Sequence, residues 1–407
     1  MSAPSPAHLD RAAWFATIAG LSGSLVGIGL ARFAYTPLIP PLIEAHWFAA
    51  TDVVALSAAN FAGYLAGALL GRSIAGRLGN RTTLRLMMLV ATATFFACAY
   101  PLSLSWYFVW RFLSGLSGGA IMVLAATTIL PHIPPARRGF VGGMVFLGLG
   151  VGIAASGTLV PELLHYGLRE TWLGLGALAV ALTAISWFGW PATNPPQPDA
   201  STQVTASERQ TLSLRLIYAQ YAAIALGIVP AMVLLVNYIA LGLGRGSDIG
   251  ARYWVLYGLA AMAGPVLTGK AIDRIGGARA YRVGLVAQIV ATTIMVTSTD
   301  VYAMGLAAAI FGFVTPGMVT LTLARIHEIL PNDHDAQRAA WSNATTAFAL
   351  FQMLGGYFYA WVFAHTNGDY TLIFAIATAS MTLAFLINLY GAWAERRDRS
   401  AVADAAE

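Results

Sequence analysis

Two arginines, Arg32 and Arg111, sit inside stretches that hold no other strong charge. A guanidinium placed in hydrocarbon costs about 2.5–3.5 kcal/mol on insertion scales, so such a residue normally faces a cavity and acts there. The segment GIGLARFAYTPLIPP, Gly27 to Pro41, sets Gly27 and Gly29 before Arg32 and Pro37, Pro40 and Pro41 after it. The glycines let a helix pack closely, and the prolines predict that it bends or stops near one membrane face. No Asp or Glu lies deep in an apolar run to neutralise either arginine. Two buried cations without a fixed anion are costly unless the cavity is wet or an anion visits. The chemistry expected is capture of a small organic anion, a carboxylate, because a planar guanidinium grips it in two places and stays charged when buried. The competing readings are snorkelling for Arg32 and, for Arg111, a structural bond to a backbone carbonyl or a neighbouring helix.

Amides and hydroxyls inside apolar runs are the secondary candidates for solute binding. Tyr35 follows Arg32 by three residues and shares its face, and Asn60 and Tyr64, four apart, share another. Asn237 and Tyr238 are the second-half counterparts of the Arg32 region, and Gln352 and Thr315, beside Pro316-Gly317, complete the set. Each alone is also read as an interhelical hydrogen bond. Pro230 and Pro316 mark expected helix bends.

These residues need a membrane scaffold. The chain has 407 residues, 58% hydrophobic and 10% charged, with mean hydropathy +0.68. A soluble chain of this length needs far more surface charge. The continuous apolar runs exclude an alternating-strand barrel and predict an all-α membrane protein with twelve spans: 13–38, 53–71, 84–101, 104–130, 139–160, 172–190, 214–241, 251–269, 281–298, 301–325, 339–363 and 371–393. The polar stretch Ala192 to Thr211, rich in Pro, Ser, Thr and Gln, predicts a flexible linker. The domains expected are a six-helix bundle over 1–191, a cytoplasmic linker over 192–212, and a second bundle with a short tail over 213–407.

Basic residues concentrate on the side of both termini, including Arg72, Arg77, Arg81, Arg85, Lys270, Arg274 and Arg279, whereas Arg169, Arg245 and Arg252 alone fall opposite. This asymmetry predicts cytoplasmic termini in a bacterial inner membrane. It also accounts for the net charge of +5 without a nucleic-acid partner. Cys98 is the sole cysteine, so no disulfide within the chain forms. No cleavable signal is expected at the N-terminus. The histidines show no metal pairing, and no cofactor is expected. The two halves repeat weakly at an offset near 200: Arg77-Leu-Gly79 answers Arg274-Ile-Gly276, and Leu130-Pro131 answers Leu330-Pro331. A parallel repeat predicts a solute site where the halves meet. Gly63, Gly67 and Gly71 line one face of the second span, and Gly148 and Gly152 one face of the fifth, as close-packing positions.

These features resemble the major facilitator superfamily (MFS) over the whole chain. The superfamily's loop between spans two and three, roughly G-x-L-A-D-R-x-G-R-R, is similar to Gly269-Lys-Ala-Ile-Asp273-Arg274-Ile-Gly276; the first-half copy around Arg77 and Gly79 has Gly76 where the aspartate belongs. The resemblance implies cytoplasmic latches holding an outward-facing state, with Arg77, Gly79, Asp273, Arg274 and Gly276 as latch residues and more of the role falling to Asp273. Arg111 followed by Gly115 in span four resembles a superfamily motif linked to proton coupling or packing. Gly29 to Leu38 and Asn60 to Leu65 resemble the bacterial YbfB/YjiJ-like transporters, a group that carries no transferable substrate. The function expected is a secondary transporter working by alternating access as a monomer, with a proton or counter-anion as the coupling partner. Proton-coupled efflux of hydrophobic drugs is the first rival, weakened by the lack of a Gly-Pro pair in span five. A membrane enzyme using His165 and Glu170 or His365 and Asp369 lacks a nucleophile, and a solute sensor lacks a signalling domain.

Overall fold

The computed structural model describes residues 9–134, 137–192, 208–331 and 333–404. The described residues form twelve helices and no strand. They are α1 (Arg11–Glu44), α2 (Ala50–Leu78), α3 (Asn80–Cys98), α4 (Leu104–Ile129), α5 (Arg138–Leu164), α6 (Leu168–Ser186), α7 (Glu208–Val233, continued by Leu235–Asn237 and Tyr238–Gly242), α8 (Ser247–Ile275), α9 (Gly277–Thr297), α10 (Val301–Ile329), α11 (His334–His365) and α12 (Tyr370–Asp404). Eleven are long and apolar enough to cross a bilayer. The twelfth, α3, carries Arg81 and Arg85 in its first turns and packs against α4 and α6. Exposed side chains such as Val266, Leu306 and Leu386 form the lipid-facing surface. The linker centre, 193–207, lies outside the described residues; α7 begins at Glu208, so 208–212 are helical.

Helix starts follow local chemistry. Asp10, Ser103, Asp300 and Asp333 each accept a bond from the backbone N–H three residues on, satisfying donors that have no intrahelical partner. The one-residue joints α2–α3 and α8–α9 are built alike. Gly79 (φ 82°, ψ 149°) donates its N–H to Ala75 O at 2.8 Å, and Gly276 (φ 80°, ψ 153°) donates to Ile272 O at 2.9 Å. That backbone region is open essentially to glycine alone.

The first helix departs from expectation. It continues through Pro37, Pro40 and Pro41 to Glu44 instead of ending near Leu38. Each proline removes an N–H, leaving the carbonyls of Phe33, Thr36 and Pro37 without their usual partner. Upstream lie a π-helical stretch over Leu25–Leu30 and a break at Ala34. Every residue from Val26 to Leu42 is buried, so neighbouring helices enclose the segment on all sides. The second half repeats the device: α7 breaks at Leu234, whose N–H donates to Pro230 O at 2.7 Å, and turns π-helical over Tyr238–Gly242. Pro316 lies inside the continuous α10, with no break in the helix there.

Glycines set the packing within each half. A Cβ on Gly63 or Gly67 would fall on the carbonyl of Phe112 or Leu116 in α4, and one on Gly264 on that of Phe313 in α10. Gly148 and Gly152 do the same for α5 against α1. Between halves, α5 packs on α8 and α2 on α11. Both termini of the bundle lie on one face, here the terminal face; the other is the distal face. The halves close toward the distal face, where Gly157 meets Ala251 and Val255, Gly258 meets Ala154, and Gly356 meets Ala58. Two hydrogen bonds cross the same region: Thr36 Oγ1 to Met232 O at 2.7 Å, and Trp254 Nε1 to Ser156 Oγ at 3.1 Å. The α5–α8 contact reaches Gly150 against Met262, about mid-depth, and ends there; Gly139 and Gly143 of α5 and Gly269 of α8 have open space around them. The bundle is therefore shut at the distal face and parted at the terminal face.

Candidate functional site

Arg32 stands at the middle of the bundle. Its guanidinium lies 4.9 Å over the ring of Tyr64, the midpoint of the 29-residue α2. Phe61, one turn away on α2, and Phe33 complete a cage at 4.6 and 5.4 Å. Rings offer their negative faces to a cation, each contact contributing about 0.5–2 kcal/mol according to desolvation. The Arg32 side chain is 9% exposed, and its Nε and Nη2 have no hydrogen-bond partner. Among the described residues no acidic side chain lies within ion-pair distance of it. Arg32 thus points into the protein and does not snorkel.

Arg111 is held differently. Its Nη1 donates to Ala31 O at 2.9 Å, and its guanidinium lies 4.1 Å over the Tyr35 ring. Ser114 Oγ donates to the same carbonyl at 2.8 Å and accepts from Asn60 Nδ2 at 3.0 Å. Ala31 O, between the π-helical stretch and the break at Ala34, thus accepts from two side chains of α4. Tyr35 donates its hydroxyl to Val53 O at 2.8 Å, fixing its ring under Arg111.

Both arginines, with Tyr35, Thr36, Asn60 and Met232, line a cavity of about 10 Å³, about the space of one water molecule. On the distal side a bowl of about 770 Å³, lined by Glu44, Trp47, His165, Arg169, Glu170 and Asp248 among others, lies beyond the Thr36–Met232 bond. The cavity is therefore shut off from the bowl and too small for a solute until its walls move.

The other candidates divide. Gln352 is buried and donates to Met232 Sδ at 3.3 Å, one residue behind the cavity wall. Thr315 bonds the hydroxyl of Tyr257 at 2.8 Å and does not line the cavity. Asn237 and Tyr238 are not brought to the cavity. Asn237 Nδ2 donates to Tyr370 OH at 2.8 Å, and Tyr238 stacks on the Tyr370 ring at 5.0 Å, because the break at Leu234 turns this part of α7 toward α12. Sequence reasoning missed Ser57, Phe61 and Ser114. The spacing Ser57, Asn60, Phe61, Tyr64 follows one helical face and offered a signal for the first two. Of the latch residues, Arg77, Asp273, Arg274 and Gly276 are exposed and Gly79 half-buried at the two matched joints.

Comparison with known proteins agrees with this architecture. The family described as "Uncharacterised MFS-type transporter YbfB" matches residues 24–389. The chain is 29% identical over 153 residues to the 4-hydroxybenzoate transporter PcaK of Acinetobacter baylyi (37% of this chain, 33% of that one). It is 32% identical over 126 residues to the niacin transporter NiaP of the same organism (30% and 28%). These matches span about a third of each curated relative. Among solved structures, a D-xylose-proton symporter superposes with TM-score 0.68 at 16% identity, covering 92% of this chain and 97% of that one. A bacterial homologue of the human lysosomal transporter Spinster gives 0.66 at 14%, covering 94% and 96%.

Proposed function

This chain belongs to the YbfB family of MFS transporters, multi-pass membrane proteins and not enzymes, and from that premise we propose that it carries a small organic anion, an aromatic monocarboxylate, by alternating access. The observation that carries the reading is the Arg32 guanidinium, buried at mid-bundle with two nitrogens unpartnered and aromatic rings around it. A carboxylate would take both free N–H groups in a forked pair, while Phe33, Phe61 and Tyr64 would flank its ring. The two curated relatives are named for 4-hydroxybenzoate and niacin, each an aromatic ring bearing one carboxylate, which supports the same class here.

In this reading the terminal face is cytoplasmic, since the basic residues gather there, and the membrane is a bacterial inner membrane. The structure then corresponds to an inward-open carrier. The exposed Asp273 and Arg274 are latch residues out of engagement, to be used when the terminal face closes. Arg111 holds the broken part of α1 in place and meets the solute secondarily.

The test is thermal stability of the purified full chain against benzoate, 4-hydroxybenzoate, nicotinate, aliphatic carboxylates, amino acids and sugars, since a bound solute raises stability. The expected result is stabilisation by the aromatic carboxylates with their uncharged amides inert. Stabilisation by sugars or by organic cations instead refutes the reading.

A further inference from the structure

We propose that the carrier is an exchanger: one anion returns for each that enters, and the protein itself carries no proton. This rests on the anion reading of the Arg32 site. Every acidic residue and histidine among the described residues lies within one turn of the end of a membrane span or outside it. Glu44 closes α1, Asp52 opens α2, Glu162 ends α5 and Glu328 ends α10. The strong charges buried in the bundle are Arg32 and Arg111, and arginine keeps its proton at any physiological pH. Tyr64, whose ring lies against Arg32, is neutral in that range. No group at the site can therefore change its charge between the two sides of the membrane.

A carrier whose own side chain takes up the coupling proton needs such a group, because neutralising it lets the empty protein reorient. Here the site charge is permanent. Arg111 keeps its bond to Ala31 O and the Tyr35 ring in either case, with its Nε alone unpartnered, whereas Arg32 has both Nε and Nη2 buried without a hydrogen-bond partner in the empty protein. Reorientation passes through a state sealed from both aqueous phases. With a carboxylate aboard, the charge crosses that state paired. Empty, it crosses with ring contacts alone, and the unpaired cation is disfavoured. The loaded form is thus the mobile one in both directions. Monoanion for monoanion moves no net charge, so the cycle is electroneutral.

The test uses the full chain reconstituted in liposomes with radiolabelled 4-hydroxybenzoate outside, and nicotinate as a second probe. Vesicles either contain the unlabelled anion or are empty. The expected result is uptake at least about tenfold faster into loaded vesicles, unchanged by an imposed pH gradient or a valinomycin-set potential. Equal rates into empty vesicles, or accumulation there driven by a proton gradient, overturn exchange and leave the anion reading standing. Absence of saturable uptake of either anion under both loadings overturns the anion reading and this inference with it.

Discussion

Replacing Arg32 by methionine separates binding from folding, and the structure sets both magnitudes. Removing the guanidinium relieves a mid-bundle charge worth about 2.5–3.5 kcal/mol on insertion scales. It also removes three ring contacts of about 0.5–2 kcal/mol each. The two terms nearly offset, so Arg32→Met should leave the ligand-free protein within about 1–2 kcal/mol of the parent. Anion binding loses two charge-assisted hydrogen bonds of about 1.5–3 kcal/mol each, at Nε and Nη2. Even the lower sum, about 3 kcal/mol, weakens affinity by about a hundredfold. At a ligand concentration of about 100 times the parent dissociation constant, stabilisation falls from about 2.7 to about 0.4 kcal/mol. Arg32→Lys should recover only part of it, because an ammonium lacks the planar fork. The assay is a thermal-unfolding series with and without 4-hydroxybenzoate. An unaltered ligand-induced shift in Arg32→Met would refute the clamp.

Arg111→Met should change stability by no more than about 1–2 kcal/mol, since loss of the bond to Ala31 O and of the Tyr35 contact is largely offset by removal of a buried charge, and should weaken anion binding less than Arg32→Met; the reverse ranking of binding, from the same melts and titrations, would make Arg111 the principal ligand. Gly67→Leu drives a side chain into the backbone of Leu116 and should abolish folded protein, whereas Gly139→Ala, with open space around it, should be neutral or stabilising by up to about 1 kcal/mol; detergent-solubilised yield and melting temperature distinguish them. A cysteine at Gly143 should react with a membrane-impermeant maleimide from the terminal face and one at Thr36 should not, against a native Cys98 that is 1% exposed; equal labelling would contradict the parted terminal face. Asp273→Asn should increase labelling at Gly143 further, by weakening closure of that face.

Which parts could be read from the sequence follows from how local the physics is. The spans were legible because hydrocarbon demands about 20 apolar residues regardless of neighbours. Arg32 and Arg111 stood out for the same reason, and the Gly63-Gly67-Gly71 stripe announced a close contact. The rotation of each helix about its axis was not legible, because packing sets it. Asn237 and Tyr238 therefore could not be placed against α12 before the break at Leu234 was known. Met232 lines the Arg32 cavity from the opposite half, a juxtaposition that no spacing within one helix encodes. The run of prolines after Arg32 suggested an end to α1. The burial that overrides them comes from α2, α5, α7 and α8 together, elements far apart in the chain.

The π-helical stretch Leu25–Leu30 sits immediately before Arg32. Such a turn holds one residue more than an ordinary α-turn, equivalent to about 100° of winding. Were that surplus residue absorbed or shifted along α1, everything beyond it would swivel by about that angle. The guanidinium would then sweep from the Tyr64 ring toward a different flank of the helix. A small slip in backbone register, with no change in any side chain, is thus enough to re-aim the charge on which capture depends.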